Sequence, residues 1–235
     1  MTGVRPFPVE PDILAGFRPM QARDAPSVAD LHRAAMGESL WAQLGVGFLQ
    51  QLYRNLIDAE GFIAFVYQPS PKLGVQGFIA GATDPDRVMS DTFRRAWFLL
   101  GPAALPRALK PHLFRRLLHT ARYSGASSVA GLPPGPLPES IFCSFIPELR
   151  GKRIAGHANK LLFDDLLARG YRHVKITTDA SNEGAARQLR SWGFEALGGF
   201  EFYGKDMTAW LLDLTQSPRV EPIGRHPMLE RTRPA

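Results

Sequence analysis

The chain contains a single cysteine, Cys143. That excludes an internal disulfide and any metal site built from several thiolates, and it fits the reducing cytoplasm expected for this chain. No apolar run reaches the roughly 18 residues needed to span a bilayer, and the first ten residues lack the apolar stretch of a secretory leader. Internal repeats and low-complexity tracts are also missing. Acidic residues are in short supply: 22 against 28 lysines and arginines, a net charge of +6 and a pI of about 9.8. Between Asp84 and Tyr123 eight positive residues face only three acidic ones, so most of the excess lies in one segment. Such a segment suits an anionic partner or a plain solubilising face. Its arginines follow no nucleic-acid recognition pattern, so no nucleic-acid partner is expected.

Hydrophobic residues make up 45% of the chain, enough for a sizeable core. Residues 1–16 are proline-rich and unpatterned and are expected to form an arm. Residues 17–214 are expected to form one domain, and residues 215–235 a tail that wraps the surface or is mobile. Phe17 to Met20 suits a short strand, with Pro19 marking a sheet edge. A helix starts near Asp24. A second, from about Leu40 to Ala59, buries Trp41, Leu44, Phe48, Leu52 and Leu56 at helical spacing, with a break possible at Gly45 or Gly47. Gly61–Tyr67 and Val75–Ala82 form a hairpin. The basic stretch of about 85–123 is helical in pattern, and Pro102, Pro106 and Pro111 are expected to divide it. Trp97 to Leu100 would be core or a dimer contact. Further strands are expected near Ser140–Ile146, His173–Thr178, Phe194–Tyr203 and Met207–Leu214, with helices at Arg153–Arg169 and Asn182–Trp192. Strand, helix, strand over 140–178 implies one parallel pair, and the rest of the sheet is antiparallel.

The stretch that concentrates chemistry is Pro147-Glu-Leu-Arg-Gly-Lys-Arg-Ile-Ala-Gly156. A strand feeding a helix through a basic, glycine-containing turn aims unpaired backbone N–H groups and the helix dipole at one point, which suits phosphate. It is no Walker loop, since no Gly-Lys-Ser/Thr closes it.

This element order, the turn Arg150 to Gly156, Asn182-Glu-Gly-Ala185 and Gly193-Phe194 together resemble the GNAT superfamily of acetyl-CoA-dependent acyltransferases. The resemblance spans Phe17 to Leu214 and is strongest from Glu139 to Phe194. It implies an α/β fold with a mixed, mostly antiparallel sheet of about seven strands flanked by helices, and a helical insertion between strands three and four. It also implies transfer of an acetyl group from acetyl-CoA to a primary amine. The pyrophosphate of coenzyme A would lie on Arg150, Gly151, Lys152, Arg153, Ile154, Ala155 and Gly156. Family members carry glycine where Arg153 stands. Asn182, Ala185 and Leu189 would line the donor, and a backbone N–H of Phe145 or Ile146 would polarise the thioester. Asn182 would also cap its helix.

The family position at the start of the fourth strand makes Glu139 the expected general base. Strand alternation places it on one face with Ile141, Cys143 and Phe145. Many relatives carry a tyrosine acid where this chain has Leu189; Tyr203 or Ser181 are the stand-ins, or the thiolate leaves unaided. Cys143 reads as a small buried residue. No histidine has a base-and-orienter context, and no metal is expected. The acceptor is expected to be a small amine, with an anionic one suited to the insertion's arginines, including Arg115 and Arg116; a homodimer is common in the family. Competing readings are a protein lysine or N-terminal acetyltransferase and a non-catalytic acyl-CoA-binding regulator.

Overall fold

A computed structural model describes residues 5–108, 131–202 and 204–221. The first helix, α1 (Pro11–Ala15), leads into β1 (Phe17–Pro19), followed by α2 (Ala25–Met36), α3 (Leu40–Gln43) and α4 (Val46–Leu56). Gly45 sits at φ 102° between α3 and α4, so the expected break falls there. The hairpin β2 (Phe62–Tyr67) and β3 (Gly77–Ala82) precedes α5 (Pro85–Ala108). Next come β4 (Glu139–Phe145), α6 (Ile154–Ala168), β5 (His173–Asp179), α7 (Glu183–Trp192), β6 (Glu195–Phe202) and β7 (Lys205–Asp213).

The seven strands form one sheet in the order β1-β2-β3-β4-β5-β7-β6. Every neighbouring pair is antiparallel except β4 and β5. Pro19 lies in the edge strand, where its missing N–H breaks no ladder.

Each sheet face carries its own core. On one, α6 packs Leu161, Leu162 and Phe163 against Ile79, Val174 and Trp210. On the other, α2, α4 and α5 bring Val28, Phe48, Leu52 and Val88 onto Phe78 and Phe142. Each fully buried side chain of this size stabilises the fold by roughly 2 kcal/mol. His32 and Tyr53 tie α2 to α4 inside the second core, Nδ1 lying 2.7 Å from the phenol oxygen. His32 Nε2 lies 3.3 Å from Ser39 Oγ. Histidine here does have partners, yet burial pushes it down to about 4 and keeps it neutral.

One expectation fails. Pro102 and Pro106 do not break α5, which runs on to Ala108. The carbonyls each proline strands belong to Phe98 and Pro102, on a helix side where both residues are exposed and water can accept the loss. Leu100 and Ala104, on the inner side, hold the helix to the core. Of the stretch expected to be core or a dimer contact, Leu100 is core while Trp97, Phe98 and Leu99 are exposed. Residues 109–130, with Pro111, Arg115 and Arg116, lie outside the described residues.

The segments flanking the sheet pack on α6. Phe7 stacks on Trp192 and meets His157 edge-on, and Leu14 is buried. From the other end, Val220 enters the same core, Ser217 Oγ donates to the Trp192 carbonyl, and the Glu221 N–H donates to Asp164. Helix α6 is consequently buried nearly all round, including Lys160 and Asp164, which pair at 2.8 Å.

Candidate active site

Strands β4 and β5 are paired only at Glu139 with Lys175 and Ser140 with Ile176. Beyond that point they part, leaving a gap between Ile141–Phe145 and Thr177–Asp179 that widens toward the C-terminal ends of both strands. A bulge begins the divergence. Ala80 opposes Phe142 and Gly81 opposes Ser140, so Ile141 has no partner on β3.

The bulge overturns the single-face expectation. Cys143 opposes Ile79, a member of the α6-side core, and Phe145 packs on that same side. Ile141 packs instead with Phe142 on the α2–α4–α5 side. Val174 and Ile176 of β5 face α6, so Lys175 and Thr177 point the other way, and Glu139 joins them. The acidic group and the thiol therefore stand on opposite faces of the sheet. Cys143 is exposed in the gap, not buried as expected. The protein atoms crowding that recess still push its thiol up to about 12.

Of the two backbone donors expected, Ile146 gives its N–H to the Gln76 carbonyl. Antiparallel alternation then turns the N–H groups of Phe145 and Cys143 toward the gap. Cys143 joins Phe145 in this role because the register of β4 against β3 stays regular from Phe145 back to Phe142.

A 3-10 turn, Pro147–Leu149, leads from β4 toward α6. Arg150 and Lys152 bond back to Pro147 and Leu149. The first bond of the helical ladder is from His157 to the Arg153 carbonyl, so the N–H groups of Ile154, Ala155 and Gly156 point beyond the helix end without intrahelical partners. Gly151 has φ 76° and Arg153 φ 59° with ψ 9°; Arg153 is the one non-glycine residue of positive φ among the described residues. The side chains of Arg150, Lys152 and Arg153 are all exposed around this turn. Unpartnered N–H groups, the positive end of the helix dipole and three exposed cations are thus gathered around one turn, a combination suited to an anion.

The N-terminal segment braces the turn from behind. The Glu10 N–H donates to His157 Nε2 at 2.9 Å, so His157 carries its proton on Nδ1 and gives it to the Arg153 carbonyl at 2.9 Å. Arg153 and Glu10 also pair at 3.5 Å through their side chains. Phe7 lies so close to Gly156 that a Cβ there would meet its ring at 2.8 Å.

At the apex of the gap, Glu139 Oε2 lies 3.0 Å from Lys175 Nζ, and Thr177 Oγ1 donates to Oε1 at 3.1 Å. Burial raises the carboxyl above its ordinary value, while Lys175 and Thr177 pull it back without cancelling that effect.

No family model matches the sequence, and no curated protein does. Solved structures match over most of the chain. SsHAT superposes with a TM-score of 0.59 at 18% identity, covering 84% of this chain and 96% of its own. An N-acetyltransferase from Staphylococcus aureus Mu50 gives 0.53 at 16% identity, covering 83% and 99%. Arabidopsis thaliana NAA60 in complex with acetyl-CoA gives 0.51 at 14% identity, covering 85% and 98%. The chain has the GNAT fold.

Within this GNAT fold the other expected site residues fall unevenly. Asn182 caps α7, its Oδ1 accepting from the Ala185 N–H at 3.0 Å. Leu189 is 4% exposed inside the α6-side core. Its side chain packs in that core, where α7 turns the position inward. Ser181 is engaged by Asp179, which accepts from both its N–H and its hydroxyl. Tyr203 lies outside the described residues. Among those residues no cluster of His, Cys, Asp or Glu could hold a metal, and no helix is long and apolar enough to cross a membrane.

Proposed function

We propose that the chain is an N-acetyltransferase that moves an acetyl group from acetyl-CoA to a primary amine of a small acceptor. The observation that carries this reading is the β4–β5 gap, with the anion-binding end of α6 at its mouth and the Glu139 carboxylate at its apex on the opposite face. The donor's pyrophosphate would rest on the N–H groups of 154–156 and the cations of 150–153. Its pantetheine arm would fill the place of the missing parallel pairing. The thioester oxygen would then accept from the N–H of Phe145 or Cys143.

The acceptor approaches from the Glu139 side. Its ammonium loses a proton to that carboxylate, through water where the distance demands it. The amine nitrogen forms a bond to the thioester carbon, whose π electrons move onto the oxygen held by the strand. Collapse of that oxyanion breaks the C–S bond and expels the thiolate of coenzyme A, which needs no dedicated acid because a thiolate leaves readily; the extra proton left on the nitrogen by its attack passes through water to that thiolate, giving the neutral amide and the free thiol. With Ser181 donating to Asp179, an unaided departure is the reading we adopt.

A small acceptor is supported by an ion pair across the Glu139 side. Lys205, at the start of β7, reaches Glu38, in the loop after α2, at 2.6 Å. We read that contact, between the β6–β7 end of the sheet and the loop after α2, as narrowing the approach for an extended polypeptide. An anionic acceptor gains no such support among the described residues: Arg87 and Arg94 are engaged by Glu60 and Asp91 on the surface of α5.

Calorimetric titration with acetyl-CoA and coenzyme A tests the donor half, and thiol release with a panel of primary amines tests the transfer. Micromolar binding, weakened by Arg153→Glu, followed by amine-dependent thiol release is the expected result. Binding without turnover on any amine would favour a regulatory acyl-CoA-binding role, and turnover on peptides alone would favour protein acetylation.

A further inference from the structure

Lys175 stands where a charged residue is hardest to accommodate. It lies in a central strand, and its side chain is only 10% exposed. The pleat gives it no choice of face, since Val174 and Ile176 on either side enter the α6 core. Its backbone is pinned as well, the N–H donating to the Pro138 carbonyl at 2.7 Å immediately before Glu139. It is therefore fixed directly opposite Glu139, in the first of the only two pairs that join β4 to β5. An ion pair so little exposed is a poor device for stability, because the cost of desolvating both charges offsets most of their attraction. Two oxygens of one carboxylate, each taken by a separate partner on the same neighbouring strand, do something else: they allow that carboxylate one orientation.

We propose that Lys175 is a positioning residue, which with Thr177 holds Glu139 as an ionised carboxylate, in a single orientation, at the apex of the gap. The inference rests on Glu139 being the base of the reaction proposed above. The chemistry requires such a partner. A base must be ionised before it can accept a proton, and burial works against ionisation at this site. The charged groups that face Glu139 are Lys175 from β5, which favours the carboxylate, and more distantly Asp86 from the first turn of α5, which opposes it. Removing Lys175 leaves burial and Asp86 to act together.

The test needs no knowledge of the acceptor. Glutamate labelled with carbon-13 at its carboxyl is incorporated into the whole chain, and the Glu139 signal is identified by its loss in Glu139→Gln. Its titration midpoint is then followed in wild type, Lys175→Met and Lys175→Arg. The midpoint is expected to move to higher pH in Lys175→Met and to stay near the wild-type position in Lys175→Arg, which keeps the charge. Should Lys175→Met fail to fold, Thr177→Val removes one hydrogen bond to the same carboxylate and is expected to move the midpoint the same way. With any amine that supports turnover, kcat/KM of Lys175→Met relative to wild type is expected to fall about tenfold or more near pH 6 and to recover as pH rises. A purely structural lysine would lower that ratio equally at every pH. An unmoved midpoint overturns the positioning role whatever the activity does. Wild-type turnover by Glu139→Gln, with acetyl-CoA still bound, overturns the base assignment instead.

Discussion

The ring of Phe145 lies directly on the backbone of Gly77, so close that a Cβ at residue 77 would fall 1.9 Å from its Cδ1. Gly77 is the residue opposite Phe145 in the β3–β4 ladder, and the ring also meets Phe17 edge-on across the sheet edge. The missing side chain on β3 is what lets β4 lay its last aromatic flat where the gap opens. Gly77→Ala is expected to push the ring out, with a loss of about 1–3 kcal/mol in urea unfolding. Because the N–H of Phe145 fronts the gap, weaker acetyl-CoA binding should accompany it. A fully stable variant with wild-type binding would separate the ring from the donor site.

Arg153 holds a left-handed backbone conformation that costs a non-glycine residue about 1–2 kcal/mol. Arg153→Gly is expected to be more stable than Arg153→Ala by about 1 kcal/mol, since only the glycine relaxes the strain. The surface pair with Glu10 contributes little against this. Both variants should bind coenzyme A more weakly than wild type, having lost the guanidinium. Equal stabilities would mean that the turn rearranges once the arginine is gone.

His32 sets a pH window. Its folded value of about 4 lies below the ordinary value of 6.5, so the unfolded chain takes up a proton more readily. Its stabilisation is complete above about pH 6.5 and falls as pH drops toward 4, by roughly 3 kcal/mol in all. Asp164, raised from 3.8 to about 6, acts in the opposite sense: its contribution is present at low pH and is lost as pH rises through 6. The wild-type curve therefore blends two opposed slopes. Subtracting the unfolding free energies of His32→Gln from those of wild type between about pH 4 and 7 should isolate the first, and a flat difference would refute it.

Cys143 offers a reporter for the donor. Its thiol is exposed in the gap yet pushed up to about 12, so iodoacetamide should modify it slowly at neutral pH and faster as pH rises. Saturating coenzyme A is expected to slow that modification severalfold. Unchanged modification at saturation would place the pantetheine arm elsewhere.

Periodicity made most of the elements legible: the buried stripe from Leu44 to Leu56, the β2–β3 hairpin, and the edge position of Pro19 all follow from local chemistry. The position of the basic turn between β4 and α6 was legible because glycine and a basic run separate an apolar strand from an amphipathic helix. What stayed hidden depends on residues distant in the chain. No glycine marks the bulge at Ile141, so alternation carried Glu139 to the wrong face. Lys175 reads as an unremarkable polar position in a strand until β5 is laid beside β4. Pro102 and Pro106 misled because their cost falls on a side of α5 open to water.

The dense wrapping of α6 also orders events in time. Its outer surface is closed by Phe7, Glu10 and Leu14 from before the sheet and by Ser217, Val220 and Glu221 from after it. Synthesis on the ribosome delivers the first group early and the second only after the whole sheet has emerged. Until then Trp192 and the buried pair Lys160–Asp164 lack their last cover. The helix whose end we propose holds the donor thus reaches its final packing only after residue 221 has emerged, so a nascent chain should acquire donor binding only once all seven strands are available.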